Sequence, residues 1–181
     1  AYFGRGNAYA DLQQYEQAIV DFTQAIEIDP SKAEVYNSRG IAYADLQDYD
    51  KAVADYTIAI SLDATNAIAY NNRGNAYRNL QAYEKAIADF DIAITINPDY
   101  ARAYNNRGNA YADQEEFDKA LADYTRAIEI DASYADVFYN RGRIYDDIKE
   151  YDKAIADFTE AIRLNPDSAE IVNNRGQVYF D

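Results

Sequence analysis

The chain has 181 residues, 49 % of them apolar, which suits one ordinary domain or a short stack of units and is too apolar for wholesale disorder. Acidic residues outnumber basic ones by 32 to 17, a formal charge of −15; such a surface repels phosphate backbones and anionic lipid and points to protein or peptide partners of neutral to basic character, not to nucleic acid or membrane. With no Cys and no His, thiolate nucleophiles, zinc held by Cys or His, Ser-His-Asp triads and histidine switches are excluded.

No apolar run approaches the ~18 residues of a membrane span, and no basic start followed by an apolar core marks a signal peptide, so the compartment stays open. The first residue is Ala, and both ends fall inside a repeated pattern, so the expectation is an excised piece of a longer protein.

That pattern is an octapeptide: YFGRGNAY from Tyr2, YNSRGIAY from Tyr36, YNNRGNAY from Tyr70 and again from Tyr104, FYNRGRIY from Phe138 and VNNRGQVY from Val172, an interval of 34 residues throughout. In the unit Ala67 to Tyr100, Tyr70, Gly74 and Tyr77 fall at i, i+4 and i+7, the spacing of one helical face, with Arg73 beside them. NLQAYE breaks this pattern. A second stripe then runs Tyr83, Ala86, Ile87, Phe90, Ala93, Ile94, and NPDY stops it at Pro98. Each unit therefore reads as an antiparallel helix pair. The second stripe recurs as Ala18, Phe22, Ala25 and Ile26; as Ala52, Tyr56, Ala59 and Ile60; as Ala120, Tyr124, Ala127 and Ile128; and as Ala154, Phe158, Ala161 and Ile162. Gly6, Gly40, Gly74, Gly108, Gly142 and Gly176 persist although a mid-helix Gly costs about 1 kcal/mol against Ala. Close approach of the paired helix explains them; a phosphate loop would need a preceding strand.

In order, Tyr70, Arg73, Gly74, Tyr77, Ala86, Phe90 and Pro98 occupy the places of a known pattern, and the chain resembles the tetratricopeptide repeat family over essentially its whole length. Departures are Tyr for the usual Trp, Arg for Leu, and Ala64 and Ala132 where Pro often stands. The resemblance implies an all-α, right-handed superhelical solenoid of about eleven helices, a single array. It comprises a first unit, 1–32, lacking its opening two residues; full units 33–66, 67–100, 101–134 and 135–168; and a first helix only at 169–181. It also implies that first helices line the concave wall, which period and spacing alone do not tell.

Arg5, Arg39, Arg73, Arg107, Arg141 and Arg175 lie on the apolar flank, where a guanidinium needs a partner. The second helices supply Asp21, Asp55, Asp89, Asp123 and Asp157 with equal regularity. Structural ion pairs Arg39–Asp55, Arg73–Asp89, Arg107–Asp123 and Arg141–Asp157 are expected, or the same arginines with the acid of an adjacent unit; the functional alternative is that they grip an acidic ligand.

On a 3.6-residue wheel, Asn71, Asn75 and Asn72 fall opposite Tyr70, Gly74 and Tyr77, facing out of the pair. Asn37 and Asn105 repeat Asn71, Asn109 repeats Asn75, and Asn106 and Asn140 repeat Asn72. Asn is a poor interior helix residue, and its amide both donates and accepts, so a row of them suits the backbone of an extended peptide. Arg102 and Arg143 add local positive spots. The expected peptide-binding groove is thus Asn37, Asn71, Asn72, Asn75, Arg102, Asn105, Asn106, Asn109, Asn140 and Arg143. Some family members, glycosyltransferases that attach N-acetylglucosamine to Ser and Thr, carry such a ladder; its matching positions here are Asn72, Asn106, Asn140 and Asn174, with Ser38 interrupting. Alternatively the amides bond to each other and tie neighbouring repeats together. The carboxylate clamp of chaperone-binding relatives is poorly matched: two cations are missing in either register, and Asp136 would repel a carboxylate.

Asp45, Asp48 and Asp50 lack the glycine and final Glu of a calcium loop, and no catalytic residue, metal or cofactor is expected. The reading is a protein-interaction module, an adaptor holding an extended peptide or a helix. The alternatives are a self-associating structural scaffold, with Val172, Val178, Tyr179 and Phe180 exposed on an open C-terminal helix, or the substrate-recruiting repeat region of a larger enzyme.

Overall fold

The computed structural model describes residues 1–179, so Phe180 lies outside the described residues. Its elements are α1 (Tyr2–Asp11), α2 (Tyr15–Ile28), α3 (Ala33–Asp45), α4 (Tyr49–Leu62), α5 (Ala67–Asn79), α6 (Tyr83–Ile96), α7 (Ala101–Asp113), α8 (Phe117–Ile130), α9 (Ala135–Asp147), α10 (Tyr151–Leu164) and α11 (Ala169–Val178). The fold is all-α; no strand occurs among the described residues. Two compact units form, Ala1–Pro98 and the chain from Asp99 onward. In the first, α1 pairs with α2, α3 with α4 and α5 with α6, while α3 also packs on α2 and α5 on α4. In the second, α7 pairs with α8 and α9 with α10, with α9 on α8 and α11 on α10.

Small and aromatic residues make each pair. Phe22, Tyr56, Phe90, Tyr124 and Phe158 project from the second helices and are at most 2 % exposed, flanked by alanines that, Ala25 apart, have no exposure at all. Each ring lies on the glycine of its paired first helix. A Cβ placed on Gly6, Gly40, Gly74 or Gly108 would stand 2.7 Å from a ring carbon, and on Gly142 2.9 Å, closer than packed atoms tolerate. The glycines are where two helices meet most closely. Burying each ring contributes about 2–3 kcal/mol.

The turn inside each pair is a Schellman motif. After α5, the Ala82 N–H donates to the Tyr77 carbonyl and the Gln81 N–H to that of Arg78, both at 2.9 Å, with Gln81 left-handed at φ 58°. Gln13, Gln47, Glu115 and Lys149 take the same conformation in the other pairs. Non-glycine residues at positive φ are uncommon, and here the motif repeats five times. Between pairs, Asp29, Asp63 and Asp131 accept from the backbone N–H and hydroxyl of Ser31, Thr65 and Ser133, which hold those carboxyls below their ordinary range.

The arginines close each pair. Arg39, Arg73 and Arg141 donate from Nε and Nη2 to both carboxylate oxygens of Asp55, Asp89 and Asp157 at 2.7–2.8 Å, and Arg107 does so to Asp123 at 2.6–2.7 Å. The partner is the acid of the same repeat, and the acids are almost fully buried. These carboxylates raise the already high pKa of Arg39, Arg73 and Arg141, keeping the guanidinium charged. Aromatic rings flank the cation: Arg73 sits 5.6 Å from the Tyr70 centroid and 5.8 Å from that of Tyr77, and Arg39 lies likewise between Tyr36 and Tyr43. This accounts for the Arg-Gly and closing Tyr of the octapeptide. The arginine pairs with the acid, the glycine admits the ring and the tyrosine covers the guanidinium.

A third partner comes from the preceding repeat. The Nη1 of Arg39, Arg73 and Arg141 donates to Oγ1 of Thr23, Thr57 and Thr125 at 3.0–3.1 Å, and each threonine donates to a carbonyl of its own helix, Ile19, Val53 or Leu121. Sequence reading misses these threonines, although they recur at the repeat interval on the second helices.

Candidate functional site: an amide-lined cleft

The amide row divides into two kinds of residue. Asn71, Asn105 and Asn106 are 1 %, 4 % and 8 % exposed, so they are not open to solvent as an outward groove position implies, although Asn105 faces the next repeat, where it accepts from Asn140. A first helix stacked beside its neighbour covers most of its wheel, and Asn105 and Asn106 reach open space only at the floor of a cleft. Asn37, Asn72, Asn75, Asn109 and Asn140 are partly exposed. Among the described residues no buried polar side-chain atom lacks a partner.

Rungs between repeats use the same amides. Asn72 Nδ2 donates to Asn37 Oδ1 at 3.2 Å, and Asn140 Nδ2 to Asn105 Oδ1 at 3.0 Å. In α11 the rung changes chemistry: Asn174 Nδ2 donates to the Tyr139 hydroxyl at 2.9 Å. Tyr139 stands where four of the other repeats carry Asn37, Asn71, Asn105 and Asn173 and the first carries Phe3.

Around that change the second unit opens a cleft of about 430 Å3. From α7 it is lined by Asn105, Asn106 and Asn109; from the start and body of α9 by Tyr134, Asp136, Tyr139 and Asn140; and from the approach to α11 and its first turn by Asn165, Ser168, Glu170 and Ile171. Asn105 donates to Asn106 Oδ1 at 3.3 Å, and Asn109 accepts from the buried Tyr124 hydroxyl at 2.8 Å, which fixes both amides. The Tyr139 hydroxyl donates to Glu170 Oε1 at 2.6 Å. Burial first, then the Glu170 carboxylate, pushes the Tyr139 phenol up. Tyr134 is likewise pushed up, chiefly by burial and then by Asp136, against the opposing pull of the nearby Arg102 charge. Arg143 lies 5.9 Å from the Tyr139 ring centroid.

Of the residues that sequence assigns to the groove, the cleft brings together Asn105, Asn106, Asn109 and Asn140, with Arg102 and Arg143 at its tyrosines. Asn37, Asn71, Asn72 and Asn75 belong to the first unit. Sequence reasoning does not assign Tyr139, Glu170, Ser168 or Asn165 to a site. The available signal is the departure itself, a tyrosine at a position that holds asparagine in every repeat but the first, where Phe3 stands. At the end of the chain, Val172 and Tyr179 are 44 % and 65 % exposed, but Val178 is 4 % exposed, packed in the cluster of Phe138, Ala154 and Phe158, which corrects its expected exposure. No group of three or more Asp and Glu arranged to hold a metal ion occurs among the described residues.

Comparison with known proteins agrees with this architecture. The model described as TPR repeat matches residues 6–47, 42–81 and 74–114, and that described as Tetratricopeptide repeat matches 101–134 and 135–168. The chain belongs to the tetratricopeptide repeat family. Among solved structures, MamA is 26 % identical with a TM-score of 0.77, covering 89 % of this chain and 94 % of its own. YrrB, described as a TPR protein with an unusual peptide-binding site, is 24 % identical with a TM-score of 0.72, covering 97 % of this chain and 90 % of its own. TTC0263, a thermophilic TPR protein of Thermus thermophilus, is 19 % identical with a TM-score of 0.82, covering 99 % of this chain and 98 % of its own, a likeness of fold alone. Among curated proteins none matches.

Proposed function

We propose that the chain is a protein-interaction module that holds an extended peptide or a helix against its first helices, with the second-unit cleft as the principal contact. The observation that carries this reading is the convergence of Asn105, Asn106, Asn109 and Asn140 on one polar cleft, two of them fixed by bonds to each other. Preorganised amides present donors and acceptors to any peptide backbone without an ordering cost at the moment of binding. Arg102 and Arg143 flank the same surface, and the amides of the first unit, Asn37, Asn72 and Asn75, offer a second such surface there. The overall charge of −15 favours a neutral to basic partner and disfavours an acidic one. Panning a displayed library of random peptides on the folded chain tests the reading: enriched peptides that compete with one another and lose affinity for Asn140→Ala support it. A library that yields no binder, or binders indifferent to every cleft substitution, removes it.

A second reading, a scaffold that self-associates, rests on the exposure of Val172 and Tyr179 on α11 and its C-terminal cap. Sedimentation velocity across a hundredfold concentration range decides it: a concentration-dependent rise that Val172→Ser abolishes supports the scaffold, and a constant monomer rejects it.

A further inference from the structure

We infer that the second-unit cleft is a receptor for a cationic side chain, lysine or arginine, of the bound segment. The inference rests on the reading of this cleft as a peptide site and specifies what enters it. Two acids line the cleft, Asp136 on the first turn of α9 and Glu170 on the first turn of α11, and both are exposed to an incoming group. No cationic side chain stands among these lining residues; Arg102 and Arg143 lie outside the lining, Arg143 by the Tyr139 ring. Two tyrosine rings, Tyr134 and Tyr139, stand in the same wall, and a ring face attracts a cation through its quadrupole. The rest of the lining is amide and hydroxyl, Asn105, Asn106, Asn140 and Ser168 among them, which hydrates or directly binds an ammonium or guanidinium.

The departure from the repeat pattern is what builds this chemistry. Where an asparagine would only complete the rung, Tyr139 receives the Asn174 amide and extends its hydroxyl to Glu170 at 2.6 Å, holding that carboxylate at the cleft. Glu170 therefore meets the ligand from a fixed position. The opposed readings are an anionic side chain, which Asp136 and Glu170 repel, and an apolar one, which would leave the amides of the lining unpaired.

Blocked pentapeptides of glycine and alanine with a central lysine, norleucine or glutamate are the probes, titrated into the isotope-labelled full chain and followed through backbone amide resonances. Lysine is expected to move resonances of residues 134–140 and 168–171 at least about tenfold more tightly than norleucine, a difference of about 1.4 kcal/mol, while glutamate moves none. Asp136→Asn with Glu170→Gln is expected to bring lysine down to the norleucine level. Tyr139→Asn, which restores the repeat's own residue and keeps a rung partner for Asn174, is expected to weaken lysine binding with an unchanged melting temperature. Equal binding of lysine and norleucine at the cleft, or a double variant that binds lysine like the parent, overturns the cation receptor while leaving the peptide site in place. Probes that move no cleft resonance overturn both.

Discussion

Asn72 donates its amide to Asn37 at 3.2 Å, reaching from one repeat to the equivalent helix of the repeat before it. An amide in mid-helix is an unfavourable choice locally, and the bond between repeats is what compensates it. Asn72→Ala therefore loses one part-buried hydrogen bond and is expected to destabilise the chain by about 1 kcal/mol, read from urea unfolding. Asn37→Ala is expected to cost the same, and the double variant no more than about one of them. Additive losses would show that the two amides act separately.

Arg73 joins three helices, because Asp89 is in its own repeat and Thr57 in the preceding one. Thr57→Val keeps the shape and removes the hydroxyl, and is expected to cost about 1 kcal/mol, whereas Thr57→Ser restores most of it. Asp89→Ala strands a guanidinium that is 16 % exposed and is expected to cost about 3–5 kcal/mol. Arg73→Lys keeps the charge but not the fork that meets both carboxylate oxygens, so it does not rescue. Thermal melts of the set give the ranking.

Glycine at one repeat position has two opposite consequences. At Gly74 a Cβ meets the Phe90 ring at 2.7 Å, and Gly74→Ala is expected to destabilise by about 1–3 kcal/mol despite alanine's better helix propensity. At Gly176 no atom of the described residues lies within 4 Å of an added Cβ, so Gly176→Ala in this chain is expected to stabilise by up to about 1 kcal/mol. Circular dichroism melts of the pair must shift in opposite directions.

Gln81 is held at φ 58° in the turn between α5 and α6. Gln81→Gly removes the Cβ clash of that conformation and is expected to stabilise by about 0.5–1 kcal/mol, an effect that recurs at Gln47 and Glu115. A fall in stability would mean that the side chain contributes something that this geometry does not explain.

The fold was legible because the pattern is repeated. The spacing of Tyr70, Gly74 and Tyr77 and of Ala86, Phe90 and Ala93 defines two faces, and five further copies of the octapeptide remove the ambiguity of any one window. The candidate site was legible only in part. The wheel separates Asn71 from Tyr70, but it contains no neighbouring repeat, so it cannot distinguish an open amide from one largely covered by the next repeat, as Asn71, Asn105 and Asn106 are, the last two reaching only the floor of the cleft. The threonines that accept from Arg39 and Arg73 were hidden because a hydroxyl on a helix is ordinarily read as solvated. Tyr139 was hidden because aromatic residues in a chain with 19 tyrosines read as core.

The most direct test of the account is a calorimetric titration of one peptide selected by panning into the parent chain, Asn140→Ala, Asp136→Ala and Arg163→Ala, the last an exposed residue of α10 away from the cleft lining. The account predicts a loss of about tenfold or more, about 1.4 kcal/mol, for the two cleft variants and none for Arg163→Ala. Equal affinity across all four proteins would contradict it.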